Sequence, residues 1–353
     1  MQDDAKLNFN DAKRVKPLCP LFGECGGCQF QDIPYGEELA RKEKQLREAL
    51  IKPLVLNDNV MEPIIASPKE YHYRCRLDLK LLKTRDKQVF IGFTPATRMQ
   101  VIAADSCAIA LQCISDFIPA IKQQAPQILP EKYRNANLVV KGGDDNRVFW
   151  GGIGRRSLRM QEGDYLWTEV QGKRIYYSLD GFFQANLSIL PVLMDKIRGL
   201  NILNDETVFY DIYGGVGLFG ISFYDIVKKI VLIEENKYAI QLAQYNSTYH
   251  QCENYKIFDG KAEEYFVLNK ILSEDKNVFM MNPPRAGLSD EIRNVLVDIK
   301  GGQDLLYLSC HPDSLLHDLV YLTKHNWQVK NIIPFDFFPK TKHIETLVLL
   351  GPK

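Results

Sequence analysis

The sequence predicts an α/β protein: a parallel sheet with intervening helices in the carboxy-terminal half, preceded by a smaller β-rich region. Three observations carry this. After about residue 181, short apolar runs alternate with helical stretches. Between about 70 and 180 the strand-like segments are shorter and are broken by glycine pairs such as Gly142-Gly143 and Gly151-Gly152. Glycine- or proline-rich loops follow several of the later runs directly, which is where ligands gather in an open α/β sheet.

Along the chain, residues 1–17 read as a polar tail and 18–35 as a loop rich in Cys and Gly. Gly36 to Ile51 predicts a helix, with Leu39, Leu46, Ala49 and Leu50 near helical spacing. Leu77–Leu82, Val89–Phe93 and Ile175–Leu179 are strand-like. Later strands are expected at Val208–Tyr213, Ile230–Ile233, Val278–Met281, Leu305–Leu308 and Thr346–Leu350. Helices are expected near Lys237–Tyr249, Ser289–Ile299 and Asp313–Lys324. The division that follows is a tail (1–17), a central region (18–180) whose helix at about 36–51 packs on the last region, and that last region (181–353).

Composition sets the class. With 46% apolar and 25% charged residues the chain is globular, and no apolar run is long enough to span a bilayer. The polar start holds no signal peptide, so a cytoplasmic protein with reduced thiols is expected, and separately a monomer. Its 44 basic and 44 acidic residues balance, so charge alone does not announce a nucleic-acid partner. The local basic clusters (Lys13, Arg14 and Lys16; Arg41, Lys42, Lys44 and Arg47; Arg74 and Arg76; Arg155, Arg156 and Arg159) read first as solvated faces.

Two loops suggest a cofactor. Asp211-Ile-Tyr213-Gly-Gly215-Val-Gly217-Leu-Phe-Gly220 follows the first apolar run, and Glu234 ends the next, where a carboxylate can bind ribose hydroxyls. The spacing departs from G-x-G-x-x-G, and Asp211 beside the loop suits a cationic, phosphate-free ligand, which favours S-adenosylmethionine. Asn282-Pro283-Pro284-Arg285 forms a rigid shelf at another strand end. Adenine amino-methyltransferases carry a similar Asn-Pro-Pro but follow it with an aromatic, where this chain has Arg285.

Ser309-Cys310-His311-Pro312 ends the Leu305–Leu308 run just before a helix, whose amino terminus is expected to favour a thiolate. A thiolate added to C6 of uracil makes C5 nucleophilic toward a sulfonium methyl, and a base must then remove the C5 proton. Glu345 is the candidate base. Cys19-x5-Cys25-x2-Cys28, in a loop with Gly23, Gly26 and Gly27, fits a cubane iron–sulfur cluster with one distant ligand; zinc is the alternative. The distant ligand is Cys107 or Cys113, and Cys107 is preferred because it follows a polar turn.

Together these segments resemble the RNA uracil-5-methyltransferase family. The likeness runs through residues 19–50, Tyr73-Arg74, GFFQAN (181–186), DIYGGVGLFG (211–220), NPPRAGL (282–288), LSCHPDSLLHDL (308–319) and FFPKTKHIETLVLL (337–350). It implies a Rossmann-like class I methyltransferase domain with a β-rich, iron–sulfur-containing central domain for RNA recognition. It further implies Gln184, Tyr213, Glu234 and Asn282 as S-adenosylmethionine contacts, Cys310 as nucleophile and Glu345 as base. Cys19, Cys25, Cys28 and Cys107 would hold a [4Fe–4S] cluster. The expected absence of the TRAM barrel that many members carry before Cys19, the cysteine cluster and Asn282 together resemble the TRAM-less branch acting on 23S ribosomal RNA; a tRNA substrate is the alternative, though the tRNA branch lacks the cluster. His311 stands where members usually have Asn, Gly214 where many have Cys, and Cys75 where Asn is common. Two further readings remain: an adenine amino-methyltransferase, and an RNA-binding module without turnover.

Overall fold

A computed structural model describes residues 14–86, 88–95, 101–128, 135–152, 164–269, 276–299 and 303–353. Lys13 and the Arg155, Arg156 and Arg159 cluster lie outside the described residues, as does most of the expected tail.

The cysteine-rich loop leads into α1 (Tyr35–Leu46), whose first turn carries Glu37 and Glu38, favourable at a helix amino terminus. A π-helical turn, Arg47–Ile51, and the short α2 (Lys52–Leu54) follow. Leu46, Leu50 and Ile51 are buried in the same apolar cluster as residues of the large sheet. The charged face is not wholly solvated, as the sequence suggested. Arg41 and Arg47 pair with Glu37 and Glu43 one turn earlier, but Lys42 is 1% exposed and donates to both Glu38 and Asp336 at 2.7 Å. A cation this deeply buried requires such partners.

The β-rich region is an antiparallel sheet of β1 (Arg76–Lys83), β2 (Val89–Phe93), β3 (Ile102–Ala103), β4 (Asn135–Gly142) and β5 (Val148–Gly152), ordered β3-β2-β1-β4-β5. One face packs on α3 (Gln112–Ile128): Leu77, Leu79 and Leu81 alternate along β1 and meet Ile114, Ile118 and Ile121. A hairpin, β6 (Leu166–Val170) and β7 (Lys173–Tyr177), precedes α4 (Leu190–Gly199).

The large sheet is Rossmann-like. Its strands are β8 (Thr207–Ile212), β9 (Lys229–Glu234), β10 (Tyr255–Asp259), β11 (Lys276–Met281), β12 (Asp304–Ser309), β13 (Trp327–Phe335) and β14 (Glu345–Pro352). The order is β10-β9-β8-β11-β12-β14-β13, parallel from β10 to β12, with β14 antiparallel to both β12 and β13. Helices α5 (Leu218–Phe223), α6 (Lys237–Tyr249), α7 (Ala262–Leu268), α8 (Asp290–Asp298) and α9 (Pro312–Lys324) connect them. Both faces are covered, which explains the unbroken apolar runs: Val278 and Met280 enter one core cluster, Phe279 and Met281 the other.

Sequence reading missed β10, β13 and α4. Both strands lie at the sheet's edges and carry exposed polar residues. β13 has a register shift between Val329 and Asn331 that interrupts its alternation. α4 has Pro191 in its first turn, where proline is tolerated although it reads as a breaker.

Candidate active site

The loop after β8 is set by backbone geometry. Tyr213, Gly215 and Gly217 all have positive φ (60°, 57° and 86°), and the Gly217 N–H closes a turn on the Gly214 carbonyl at 2.9 Å. A Cβ at Gly220 would stand 2.4 Å from the buried Tyr255 hydroxyl, so α5 can seat against β10 only with glycine there. Asp211 is buried beneath the glycine loop. Its carboxyl is 1% exposed, accepts the Gly220 N–H at 2.9 Å and is pushed up to about 8 by burial. It braces the loop from within. Glu234, half-buried at the end of β9, accepts the Gly215 N–H (3.0 Å) on Oε2 and the Glu235 and Asn236 N–H groups (3.0 and 2.8 Å) on Oε1. Oε2 keeps a lone pair for a ribose hydroxyl.

The shelf Asn282–Arg285 follows β11. It is held from below by Asp318 of α9, 1% exposed, which accepts from the Leu288 N–H (2.9 Å), the Tyr307 hydroxyl (2.6 Å) and the Arg293 guanidinium (2.5 Å). Gly287 (φ 84°) passes directly over that carboxylate.

Cys310 follows the end of β12. His311 is the N-cap of α9, its Nδ1 accepting the Ser314 N–H at 3.3 Å, so its ring is engaged in starting the helix. The expected depression of the thiol pKa by that helix is not found. Burial pushes the thiol up, the Glu345 charge adds to this, and the Arg285 guanidinium opposes both by charge and hydrogen bonding. Glu345 opens β14 and is 6% exposed; burial pushes its carboxyl up to about 8 against the pull of Arg285. Its Oε2 meets no hydrogen-bond partner among the described residues. Glu38 Oε2, Asp211 Oδ1 and Asp336 Oδ2 share this condition, but of these four carboxyls Glu345 alone lines the cavity of the site.

Gln184, 5% exposed, reaches the site from the segment after β7. The buried Cys75 thiol donates to the Gln184 carbonyl at 3.2 Å, and the next residue but one, Asn186, bonds Ser67 and the Phe337 carbonyl. Lys141, 1% exposed and pushed down to about 8 by burial, donates to the carbonyls of Ser178 and Gly181. Phe183 stacks on Tyr177 at 4.2 Å, while the neighbouring Phe182 stays 67% exposed.

The shelf, Cys310, Glu345, the Phe182–Ala185 segment and the cysteine-rich loop line one cavity of about 800 Å³. Of the residues singled out from sequence, Cys19, Cys25, Cys28, Cys107, Gln184, Asn282, Cys310 and Glu345 all line it; Tyr213 and Glu234 flank the glycine loop instead. Within the cysteine loop the Cys25 N–H bonds the Leu21 carbonyl (2.9 Å) and the Cys19 N–H bonds the buried Gln31 side chain (2.9 Å). Burial pushes Cys28 up to about 12, with charge from Cys107, Cys25 and Cys19 adding to it. Among the described residues no group of three His, Cys, Asp or Glu side chains stands ready to hold a metal ion. Cys113 and Cys75 do not line the cavity. Sequence reading did not single out Arg74, Phe182, Arg285 and His343 as site residues, though all four line it. For Phe182 the signal was an unpatterned aromatic pair before Gln184, and for Arg285 a cation directly after a rigid strand end.

Comparison with known proteins adds four findings. The family model described as tRNA (Uracil-5-)-methyltransferase matches residues 155–353. An uncharacterized RNA methyltransferase of Aquifex aeolicus is 28% identical, over 99% of this chain and 87% of its own length. The 23S rRNA (uracil(1939)-C(5))-methyltransferase RlmD of Haemophilus parainfluenzae is 27% identical, over 96% and 83%. Among solved structures, a Pyrococcus abyssi tRNA (uracil-54, C5)-methyltransferase in complex with S-adenosyl-L-homocysteine superposes with a TM-score of 0.72 at 19% identity, covering 93% of this chain and 86% of that one. The fold is therefore that of a class I methyltransferase.

Proposed function

The chain belongs to the tRNA (uracil-5-)-methyltransferase family, and from that membership we propose that it methylates C5 of one uridine in 23S ribosomal RNA through a covalent adduct on Cys310. As a member it is an S-adenosylmethionine-dependent RNA uracil-C5 methyltransferase. The observation that carries the covalent route is the pairing of Cys310 with Glu345 at one cavity wall, the carboxyl buried and its Oε2 unpartnered.

Cys310 Sγ adds to C6, breaking the C5=C6 π bond and leaving an enolate. C5 takes the methyl group from the sulfonium of the donor, which departs as S-adenosylhomocysteine. Glu345 then removes the C5 proton; the double bond re-forms and the S–C6 bond breaks, returning the thiolate. Arg285 favours the charged form of both groups. The uridine must leave its stack to reach the cavity, and exposed Phe182 offers it a flat apolar face.

Gln184 and Asn282 on the cavity wall, with Tyr213 and Glu234 beside the glycine loop, are the donor-binding residues in this reading. Ribosomal RNA is favoured because relatives in Haemophilus parainfluenzae, Aliivibrio fischeri and Pseudomonas syringae that carry that activity match over 96–98% of the chain. The division at about residues 18–180 and 181–353 belongs to the same reading, as do a monomeric state and a cytoplasmic site of action beside its RNA. No helix among the described residues is long and apolar enough to cross a membrane.

Cys19, Cys25, Cys28 and Cys107 line one cavity, and four thiols are the donor chemistry of a [4Fe–4S] cluster, which in this reading they hold although they are not gathered into a ready metal-binding group. Such a cluster would join the loop before α1 to the β-rich sheet. Anaerobically purified protein should carry about four iron atoms per chain; zinc in their place would defeat this assignment.

The decisive test uses 5-fluorouracil-substituted 23S transcripts. Fluorine cannot leave as a cation, so a stable protein–RNA adduct should form with wild type and not with C310A. No adduct would sink the covalent route. Mapping 5-methyluridine in ribosomal RNA and tRNA from cells with and without the protein decides the substrate.

A further inference from the structure

The cysteine-rich loop is fastened to the segment that carries the base. Asp336 to Ile344 joins β13 to β14 and ends at Glu345. At its centre Lys340 has φ 67°, a conformation costly for a non-glycine residue, so its surroundings must hold it there. They do so on several sides. The Lys340 N–H donates to Glu38 Oε1 at 2.7 Å, and its ammonium pairs with Glu70 at 2.8 Å. Its carbonyl accepts the N–H groups of Gln29 (2.8 Å) and Phe30 (3.0 Å), the two residues that follow Cys28.

Gln29 then makes a second bridge with its side chain. Nε2 donates to the Gly26 carbonyl inside the cysteine loop (3.0 Å), and Oε1 accepts the Lys342 N–H (3.2 Å), three residues before Glu345. Buried groups fix the upstream half of the segment: Lys42 bonds Asp336 and the Phe338 carbonyl, and the Tyr73 hydroxyl bonds the Pro339 carbonyl. The downstream half is held by the Thr341 hydroxyl, which donates to the Phe338 carbonyl and accepts the His343 N–H, by Ile344 in the apolar core, and from the cysteine loop by Gln29.

We propose that Gln29 is a positioning residue for the proton-removal step, holding the Lys340–His343 stretch so that the Glu345 carboxylate is aimed at C5. The proposal rests on the reading of Cys310 as nucleophile and Glu345 as base. It separates two halves of the reaction. Thiolate addition and methyl transfer use β12 and the shelf, which Gln29 does not touch. Proton removal and release of Cys310 depend on Glu345, which it does.

The experiment compares wild type, Q29L and Q29E on ordinary and 5-fluorouracil-substituted 23S transcripts. The fluorinated ring stalls before any proton is removed, so Q29L should form that adduct at the wild-type rate. On ordinary RNA, Q29L should turn over about fivefold to tenfold more slowly, the effect of losing the bond to the Lys342 N–H, and accumulate a methylated Cys310–RNA adduct that wild type does not. Q29E keeps the acceptor for the Lys342 N–H but loses the donor to the Gly26 carbonyl, so it should form the fluorinated adduct at the wild-type rate and turn over ordinary RNA faster than Q29L and more slowly than wild type. Equal losses of adduct formation and turnover in Q29L would mean general loosening and overturn the proposal. Unchanged turnover without accumulated adduct would overturn it as well. Failure of wild type to form the fluorinated adduct would instead strike the covalent reading on which the proposal rests.

Discussion

Cys310 and Glu345 each stand one residue beyond the last paired residues of two adjacent antiparallel strands, Ser309 of β12 and Thr346 of β14. Continuing the ladder by one step sets them opposite each other at the sheet's cavity end. The proposed nucleophile and base are therefore aligned by strand register. Because β14 runs antiparallel to β12, a carboxylate that begins one strand meets a thiol that follows the other.

This adjacency governs the pH dependence. The thiol is raised by burial and by the Glu345 charge, and the carboxyl is pushed up to about 8, yet in the proposed reaction each must lose its proton before it acts. The value of kcat/KM should climb with pH through the region around 8, more steeply than one group alone would allow, with apparent constants that belong to the pair. Arg285 lowers both, so R285Q should move the climb to higher pH and R285K should largely keep it. A flat profile between about pH 6.5 and 8.5 would contradict this assignment.

The same carboxyl couples pH to stability with an unusual sign. Its folded-state pKa lies above the ordinary carboxyl value of 4.5, so between 4.5 and about 8 the folded chain holds a proton that the unfolded chain has released. Stability should fall as pH rises through that window. E345Q should flatten the slope and unfold at higher urea than wild type above pH 8. Asp211, also pushed up to about 8, keeps part of the slope in E345Q, and D211N should remove that part. An E345Q slope equal to wild type would refute the buried-acid account.

Much of this was legible because buried parallel strands must be apolar on both faces. Val208–Tyr213 and Val278–Met281 could be read that way, and the loops following them could be located. Lys42 was not legible. A Glu38–Lys42 pair one helical turn apart looks the same in sequence whether it is solvated or buried, and its decisive partner, Asp336, lies 294 residues away. Arg285 was noticed only for not being aromatic. Its influence on Cys310 and Glu345 depends on β11 and β12 being neighbours, which chain order alone does not reveal.

Asp318 should be the most sensitive polar position under the shelf. Removing it leaves the Arg293 guanidinium, the Tyr307 hydroxyl and the Leu288 N–H without their shared acceptor. D318A should cost about 3–5 kcal/mol, the usual result of breaking a buried ion pair from one side. Y307F removes one bond and should cost about 1 kcal/mol. Urea midpoints at constant slope measure both, and a D318A loss no larger than that of Y307F would show that the carboxylate is not the hub.

Gly220 tests the glycine loop without touching a polar group. An added Cβ would stand 2.4 Å from the Tyr255 hydroxyl and 2.8 and 2.9 Å from two ring carbons, and that ring is buried against the α5 side of the sheet. Because the ring cannot swing into solvent, α5 must shift instead, carrying Gly217 and the loop with it. G220A should therefore cost about 1–3 kcal/mol in stability through overpacking and also weaken S-adenosylhomocysteine binding measured by calorimetry. Y255F in the same chain removes the closest atom but leaves the ring carbons, so the double variant should recover only part of both losses. Full recovery would mean that the hydroxyl alone fixes the spacing; unchanged ligand affinity in G220A would mean that the loop does not hold the donor.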